Sequence, residues 1–363
     1  MSQRTTLRLG WLAATLGASL LAACAAPAAA PGAPPASAPA PAAASASAPA
    51  PAAAPAPPPA PVKLTAAYGS VTATQIPVWV TKEQGYFTKY GLDVELSYID
   101  GSAGVRALAT GETPLSSVGG ALIPTRLAGA DVAAIAELAP RLTYGVYAAP
   151  DITNVDSLRG RTIVTTTPGS TNYQGVTLFL KKYGLEASRD VHLLTSGGGT
   201  EQLAMLKQGM ADAALFSPPS SIRARELGLH QVVNLAEENI PFLNSTIAAY
   251  GPYAAQNPDT VRRFVQAYSE GARDSVREPA IAKAALAKYA SLDDPAAIDE
   301  SYNFTASSWP RSAPYPQTAA IQTILDLQDS AEARAARAED FVDARYVKDL
   351  DDAGFFRQIG LVD

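Results

Sequence analysis

The chain has 363 residues, with 28 Lys and Arg against 34 Asp and Glu, a net charge of −6 and one cysteine. That acidic balance argues against nucleic acid as a partner, which needs a basic field, and a lone thiol excludes an internal disulfide. With only two histidines, His192 and His230, metal centres of the His and Cys type are excluded as well.

The first eight residues, MSQRTTLR, carry Arg4 and Arg8, and Leu9 to Leu21 is free of charge, matching the basic and apolar regions of an export signal. The run falls short of the ~20 apolar residues that a helix needs to cross the hydrocarbon core. Leu21, Ala22 and Ala23 lead into Cys24, a spelling that resembles the lipobox of bacterial lipoproteins. The resemblance implies cleavage before Cys24 and a diacylated thiol, so residues 1–24 are read as a signal peptide with its lipid-anchor cysteine. Residues 25–61 use only Ala, Pro, Ser and Gly, which supply no material for a core. Proline biases such a linker toward extended geometry at roughly 3 Å per residue, a tether on the order of 100 Å.

Residues 62–363 remain, about 300 residues, enough for two lobes with their own cores. Without Arg4 and Arg8, the only charged residues of the leader and linker, 26 of the 28 basic residues face 34 acidic ones, a net of −8. KLTAAYG (Lys63 to Gly69) reads as a strand, Gln75 to Gly91 as a helix closed by glycine, and Leu92 to Ile99 as a strand alternating with period two. Two phrases then recur in the same order. KYGLDVEL (Lys89 to Leu96) is echoed by KKYGLEASRDVHLL (Lys181 to Leu194), and RALATGETPLSSVG (Arg106 to Gly119) by MLKQGMADAALFSP (Met205 to Pro218). Each is a helix end, a glycine and a new strand, and glycine there suits a left-handed cap. The echo argues for two similar α/β lobes in tandem. Thr143 to Pro150 and Ser245 to Pro252 read as the two crossover strands of a hinge. Helices follow: Asp259 to Arg277, Pro279 to Ser291, Pro295 to Ser308, Gln317 to Glu339 and Val347 to Ile359, the last closed by Gly360. The expected division is lobe I from 62–145 plus 247–363, and lobe II from 146–246.

Ligands of open α/β sheets bind outside the carboxyl ends of the strands, and the loops predicted there are small and polar. In lobe I they are Tyr68 to Gln75, Asp100 to Gly104 and Ser116 to Gly120; in lobe II, Thr166 to Tyr173, Thr195 to Gln202 and Phe216 to Ser221. Four of them open helices with Ser, Thr or Gly, leaving backbone N–H groups free to hold an anion without a basic side chain. Ser70, Thr72, Ser102, Ser170 and Thr171 offer hydroxyls, Asn172 an amide, and Tyr68 and Tyr173 a cover for an organic group, with Ser217 in the last loop. Ser and Thr are also ordinary helix caps, so it is the set of six loops, not any one, that points to a cleft. The phosphate-loop pattern G-x-x-x-x-G-K-[ST], H-E-x-x-H and G-x-S-x-G are all absent, no cofactor is expected, and His192 and His230 read as structural or surface residues.

The ordered series Val80 to Leu96, Ala107 to Gly119, Asp156 to Thr171 and Leu206 to Pro218 resembles the substrate-binding proteins of ABC importers, in the group that captures sulfonates, taurine, nitrate or thiamine-pyrimidine precursors. The resemblance spans about Lys63 to Ile247. It implies a two-lobed type II periplasmic binding-protein fold, α/β with two hinge crossovers and C-terminal helices, acting as a monomer without enzymatic activity. It implies ABC permease and ATPase subunits as partners, a small-molecule ligand, and export to the extracytoplasmic side of a membrane. It carries over Ser70, Thr72, Ser102, Ser117, Gly169, Ser170, Thr171 and Thr200 as ligand contacts. The chain lacks the cysteine-rich motif of the eukaryotic members that make a thiamine pyrimidine, and its first-lobe loops hold no Arg or Lys. An enzyme on the same fold and a ligand-sensing receptor domain are the alternative readings.

Overall fold

A computed structural model describes residues 60–361. The leader, Cys24 and nearly all of the Ala/Pro linker lie outside the described residues. Among the described residues no helix is long and apolar enough to cross a membrane.

The strands, in chain order, are β1 (Val62–Tyr68), β2 (Leu92–Tyr98), β3 (Leu115–Val118), β4 (Val132–Arg141), β5 (Gly145–Ala148), β6 (Thr162–Thr165), β7 (His192–Thr195), β8 (Ala213–Phe216), β9 (His230–Asn234) and β10 (Pro241–Tyr250). They form two five-stranded sheets ordered β2-β1-β3-β10-β4 and β7-β6-β8-β5-β9. In each sheet the first three strands are parallel, and the fourth is antiparallel and arrives from the other half of the chain. The two sheets therefore share one topology, which is the architecture that the echoed phrases imply. The four echoed glycines, Gly91, Gly111, Gly184 and Gly209, all have φ between 65° and 78°, a region glycine enters without steric cost.

The helices of lobe I are α1 (Ile76–Glu83), α2 (Tyr86–Lys89), α3 (Gly101–Thr110) and α4 (Leu122–Leu127); those of lobe II are α5 (Thr171–Lys182), α6 (Gly199–Lys207) and α7 (Ser220–Glu226). After β10 come α8 (Gly251–Gln256), α9 (Pro258–Arg277), α10 (Pro279–Ala290), α11 (Pro295–Thr305), α12 (Thr318–Leu325), α13 (Ala331–Ala335), α14 (Arg345–Asp352) and α15 (Phe355–Ile359). Three helices expected to be continuous are broken. Gly85 (φ 71°) separates α1 from α2 and Gly354 (φ 73°) separates α14 from α15, while Ser330 starts α13 afresh by accepting from Ala333 N–H at 3.0 Å. The stretch from Pro295 to Ser308 ends as a helix at Thr305 and finishes in a 3₁₀ turn.

The chain crosses between lobes at residues 142–144 and 235–240. The second crossing differs from the sequence expectation, which ran lobe II to 246 and made Ser245 to Pro252 a crossover strand. Pro241–Tyr250 is instead one strand that pairs with β4 along its length, with bulges. Proline suits its first position, where no ladder donor is lost. One apolar core follows these crossings from lobe to lobe, including Val118 and Ile123 of lobe I, Val146, Val176 and Phe179 of lobe II, and Ile321 and Ile324 of α12.

Candidate ligand-binding cleft

The carboxyl ends of the parallel strands of both sheets open into one cleft of about 430 Å³, and all six predicted loops line it. Lobe I presents Ser70, Thr72, Gln75 and Ser117; lobe II presents Ser170, Thr171, Asn172, Thr200 and Ser217. The first residues of α5, α6 and α7 reach the lining too, and the leading N–H groups of α5 and α6 are without intrahelical partners there.

The floor on the lobe I side is a buried polar network. Gln75 closes a 3₁₀ turn (Ala73–Gln75), its N–H donating to Thr72 O at 3.0 Å. The turn sends its side chain inward, where it is 2% exposed. Ser117 Oγ donates to Gln75 Oε1 at 2.6 Å, Gln75 Nε2 donates to Ser245 Oγ at 3.0 Å, and the two serine hydroxyls meet at 2.8 Å. Ser70 and Thr72 hydroxyls share a bond at 3.0 Å above this floor. A buried network of this kind holds its members in fixed rotamers, because each lost bond leaves an unpaired group.

The lobe II wall is built on the start of α5. Ser170 has extended backbone and accepts from Tyr173 N–H at 3.3 Å, an N-cap that also lines the cleft. Asn172 braces three segments: its Oδ1 accepts from Thr165 Oγ1, Thr166 N–H and Gln202 Nε2, and its Nδ2 donates to Leu215 O. The side-chain hydroxyls and amides are thus oriented by one another, and no imidazole or amine is among the lining residues to activate them.

The lobes touch at the cleft's edge. Gln174 Nε2 donates to Gly120 O at 3.1 Å, and the Ser102 and Thr167 hydroxyls lie 3.2 Å apart. A Cβ on Gly119 would come within 2.2 Å of Thr171 Oγ1, and one on Gly120 within 1.8 Å of Gln174 Oε1. Only glycines allow so close an approach.

Charge is sparse: Asp100 and Glu201 are the acidic lining residues and Arg223, from α7, is the basic one. Burial pushes the Tyr98 phenol up to about 12, with the Asp100 carboxylate beside it adding to the effect, and burial raises Asp100 as well. Tyr144, on the first crossing, is pushed up to about 12 by burial. Both phenols are therefore neutral donors at ordinary pH.

Four of the residues singled out from sequence do not line the cleft. Tyr68 is 7% exposed and packs edge-on against Trp79 in the lobe I core, whereas its neighbour Tyr98 lines the cleft together with Tyr144 and Phe216. Tyr173 lies one position beyond the lining part of α5, Gly169 has its open side toward Pro124, and Ser102 stands at the lip facing Thr167. His192 and His230 lie on β7 and β9, away from the cleft. Gln75, Tyr98, Tyr144, Gln202, Arg223, Asn244 and Ser245 line it without having been singled out. Tyr98 falls within the expected strand Leu92 to Ile99 with nothing local to mark it, and Tyr144, Asn244 and Ser245 become neighbours only once the crossings are placed.

The family model described as NMT1/THI5 like matches residues 72–282. The riboflavin-binding protein RibY of Chloroflexus aurantiacus is 26% identical over 209 residues, which are 56% of this chain and 59% of that protein's length. Among solved structures, the periplasmic aliphatic sulphonate binding protein SsuA of Escherichia coli has a TM-score of 0.60 at 20% identity, covering 78% of this chain and 99% of that one. The periplasmic nitrate-binding protein NrtA of Synechocystis PCC 6803 has a TM-score of 0.67 at 14% identity, covering 83% and 91%. The chain has the periplasmic binding-protein fold.

Proposed function

Since this chain belongs to the NMT1/THI5-like family, we propose that it is the solute receptor of an ABC importer, closing its two lobes around one small molecule and presenting it, as a monomer, to a permease and ATPase. In this reading Cys24 carries the lipid, residues 25–61 are the tether, and the receptor works on the extracytoplasmic side. The observation that carries the proposal is the cleft itself, where oriented hydroxyls, amides and helix N-termini from both lobes converge. A solute touching both lobes stabilises the closed form by as much as it binds that form better.

The solute class we infer is an uncharged or weakly charged polar ring compound, of the flavin or pyrimidine kind. A volume of about 430 Å³ lies in the range that takes drug-sized organic molecules, and nitrate would leave most of it unfilled. Two carboxylates against one guanidinium disfavour a strong anion, while Tyr98 supplies an aromatic wall. The riboflavin named for RibY is a solute of this class.

The test is calorimetry and thermal shift with riboflavin, an aminopyrimidine, an alkanesulfonate and nitrate. Riboflavin or the pyrimidine should bind saturably without being consumed, adding about 2.7 kcal/mol of stability at 100 times its dissociation constant. Tight binding of the sulfonate or nitrate alone would overturn the solute class. Turnover of any bound compound would overturn the receptor reading.

A further inference from the structure

A second cavity, of about 420 Å³, lies away from the cleft, between the end of β4, the second crossing and the segment Ser307 to Ala313. Its lining is rich in donors. Arg141 and Arg311 make no ion pair among the described residues, Arg141 donating to Asn239 Oδ1 at 3.1 Å and Arg311 to Ala306 O at 3.4 Å. Trp309 is 3% exposed, and its indole N–H has no acceptor in the protein. The lining carboxyl, Glu137, is pushed toward its neutral form by burial. Guanidinium forks without a carboxylate partner match the paired oxygens of carboxylates and phosphates.

We propose that this cavity is a second binding site, taking a small oxyanion between Arg141 and Arg311, beside the Trp309 ring. Its placement gives the site a consequence. Arg141 ends the strand that leads into the first crossing, and its partner Asn239 sits on the second. An anion that draws Arg141 toward Arg311 competes with the bond between the crossings and so changes the resistance of the hinge. The site rests on different residues from the cleft and stands whether or not the solute class inferred above is correct.

The full chain titrated with citrate, and separately with inorganic phosphate, at matched ionic strength should show a saturable change in tryptophan emission that is lost in W309F. Arg141→Gln and Arg311→Gln should each weaken it by about tenfold, as expected when a charge-assisted contact is removed. Arg223→Gln, which alters the cleft instead, should leave it intact. Saturation by citrate alone assigns the site to carboxylates, and by phosphate alone to phosphate esters. No saturation up to about 10 mM, an unchanged response in Arg311→Gln, or its loss in Arg223→Gln would overturn the proposal. Circular dichroism of the variants separates loss of binding from loss of folding, and since both arginines are exposed, retained folding is expected.

Discussion

Arg225 on α7 grips both carboxylate oxygens of Glu300 on α11, its Nη2 lying 2.7 and 2.6 Å from them, and the pair joins lobe II to the C-terminal helices of lobe I. The two side chains are 42% and 43% exposed, so solvent screening limits the pair to about 0.2–1 kcal/mol. Glu300→Gln should therefore speed solute release by at most about fivefold with little change in the association rate. Stopped-flow release kinetics check this. Added salt should move the wild type toward the variant, since it screens the same attraction.

Gly120 sets a sharper limit on closure. Its φ is not in the left-handed region, so alanine suits the backbone, but the added Cβ would sit 1.8 Å from Gln174 Oε1 across the lobe boundary. Gly120→Ala should weaken solute binding by about tenfold, the cost of roughly 1.4 kcal/mol of lost closure, while the melting temperature without solute changes little. Gln174→Ala added to it should recover much of the loss, because the obstacle is a side chain. Calorimetry on the two single variants and the double variant gives the coupling directly.

The lobes and their glycine caps were readable from sequence because local chemistry enforces them. Gly91 and Gly184 must each end a helix, and a strand follows each. Ser70, Ser117, Ser170 and Asn172 line the cleft, and what pointed to them was the set of six small polar loops at strand ends rather than any one residue, since Ser170 is also an ordinary helix cap. Tyr68 was misplaced because its position at a strand end does not reveal that Trp79 and Tyr289 pack around it. Gln75 and Ser245, 170 residues apart in sequence, share a bond that no local pattern foretells.

That bond can be tested through stability. Replacing Gln75 with Leu preserves bulk but leaves Ser117 and Ser245 with only each other, at positions both 2% exposed. The expected loss is about 1–3 kcal/mol of unfolding free energy, the cost of stranding buried polar groups. Urea denaturation with an unchanged m-value would show that the loss is stability and not a changed unfolded state. Solute affinity should fall too, since Gln75 and Ser117 line the cleft.

Glu137 links the second cavity to pH. Burial raises its carboxyl to about 7, against which the bond from Gln317 and the charge of Arg141 act only in part. In the unfolded chain the same group titrates near ~4.3. Below that value both states hold the proton and burial of the neutral acid costs nothing extra. As pH rises from ~4.3 to ~7 the unfolded state ionises first, the folded state binds more protons, and stability declines by on the order of 1–3 kcal/mol before levelling off. Glu137→Gln keeps the side chain neutral at every pH, so the difference in unfolding free energy between wild type and variant should slope across pH 4.5 to 7 and flatten above it. Chemical denaturation at a series of pH values measures that difference, and a flat profile would show that the Glu137 carboxyl is not held neutral by burial.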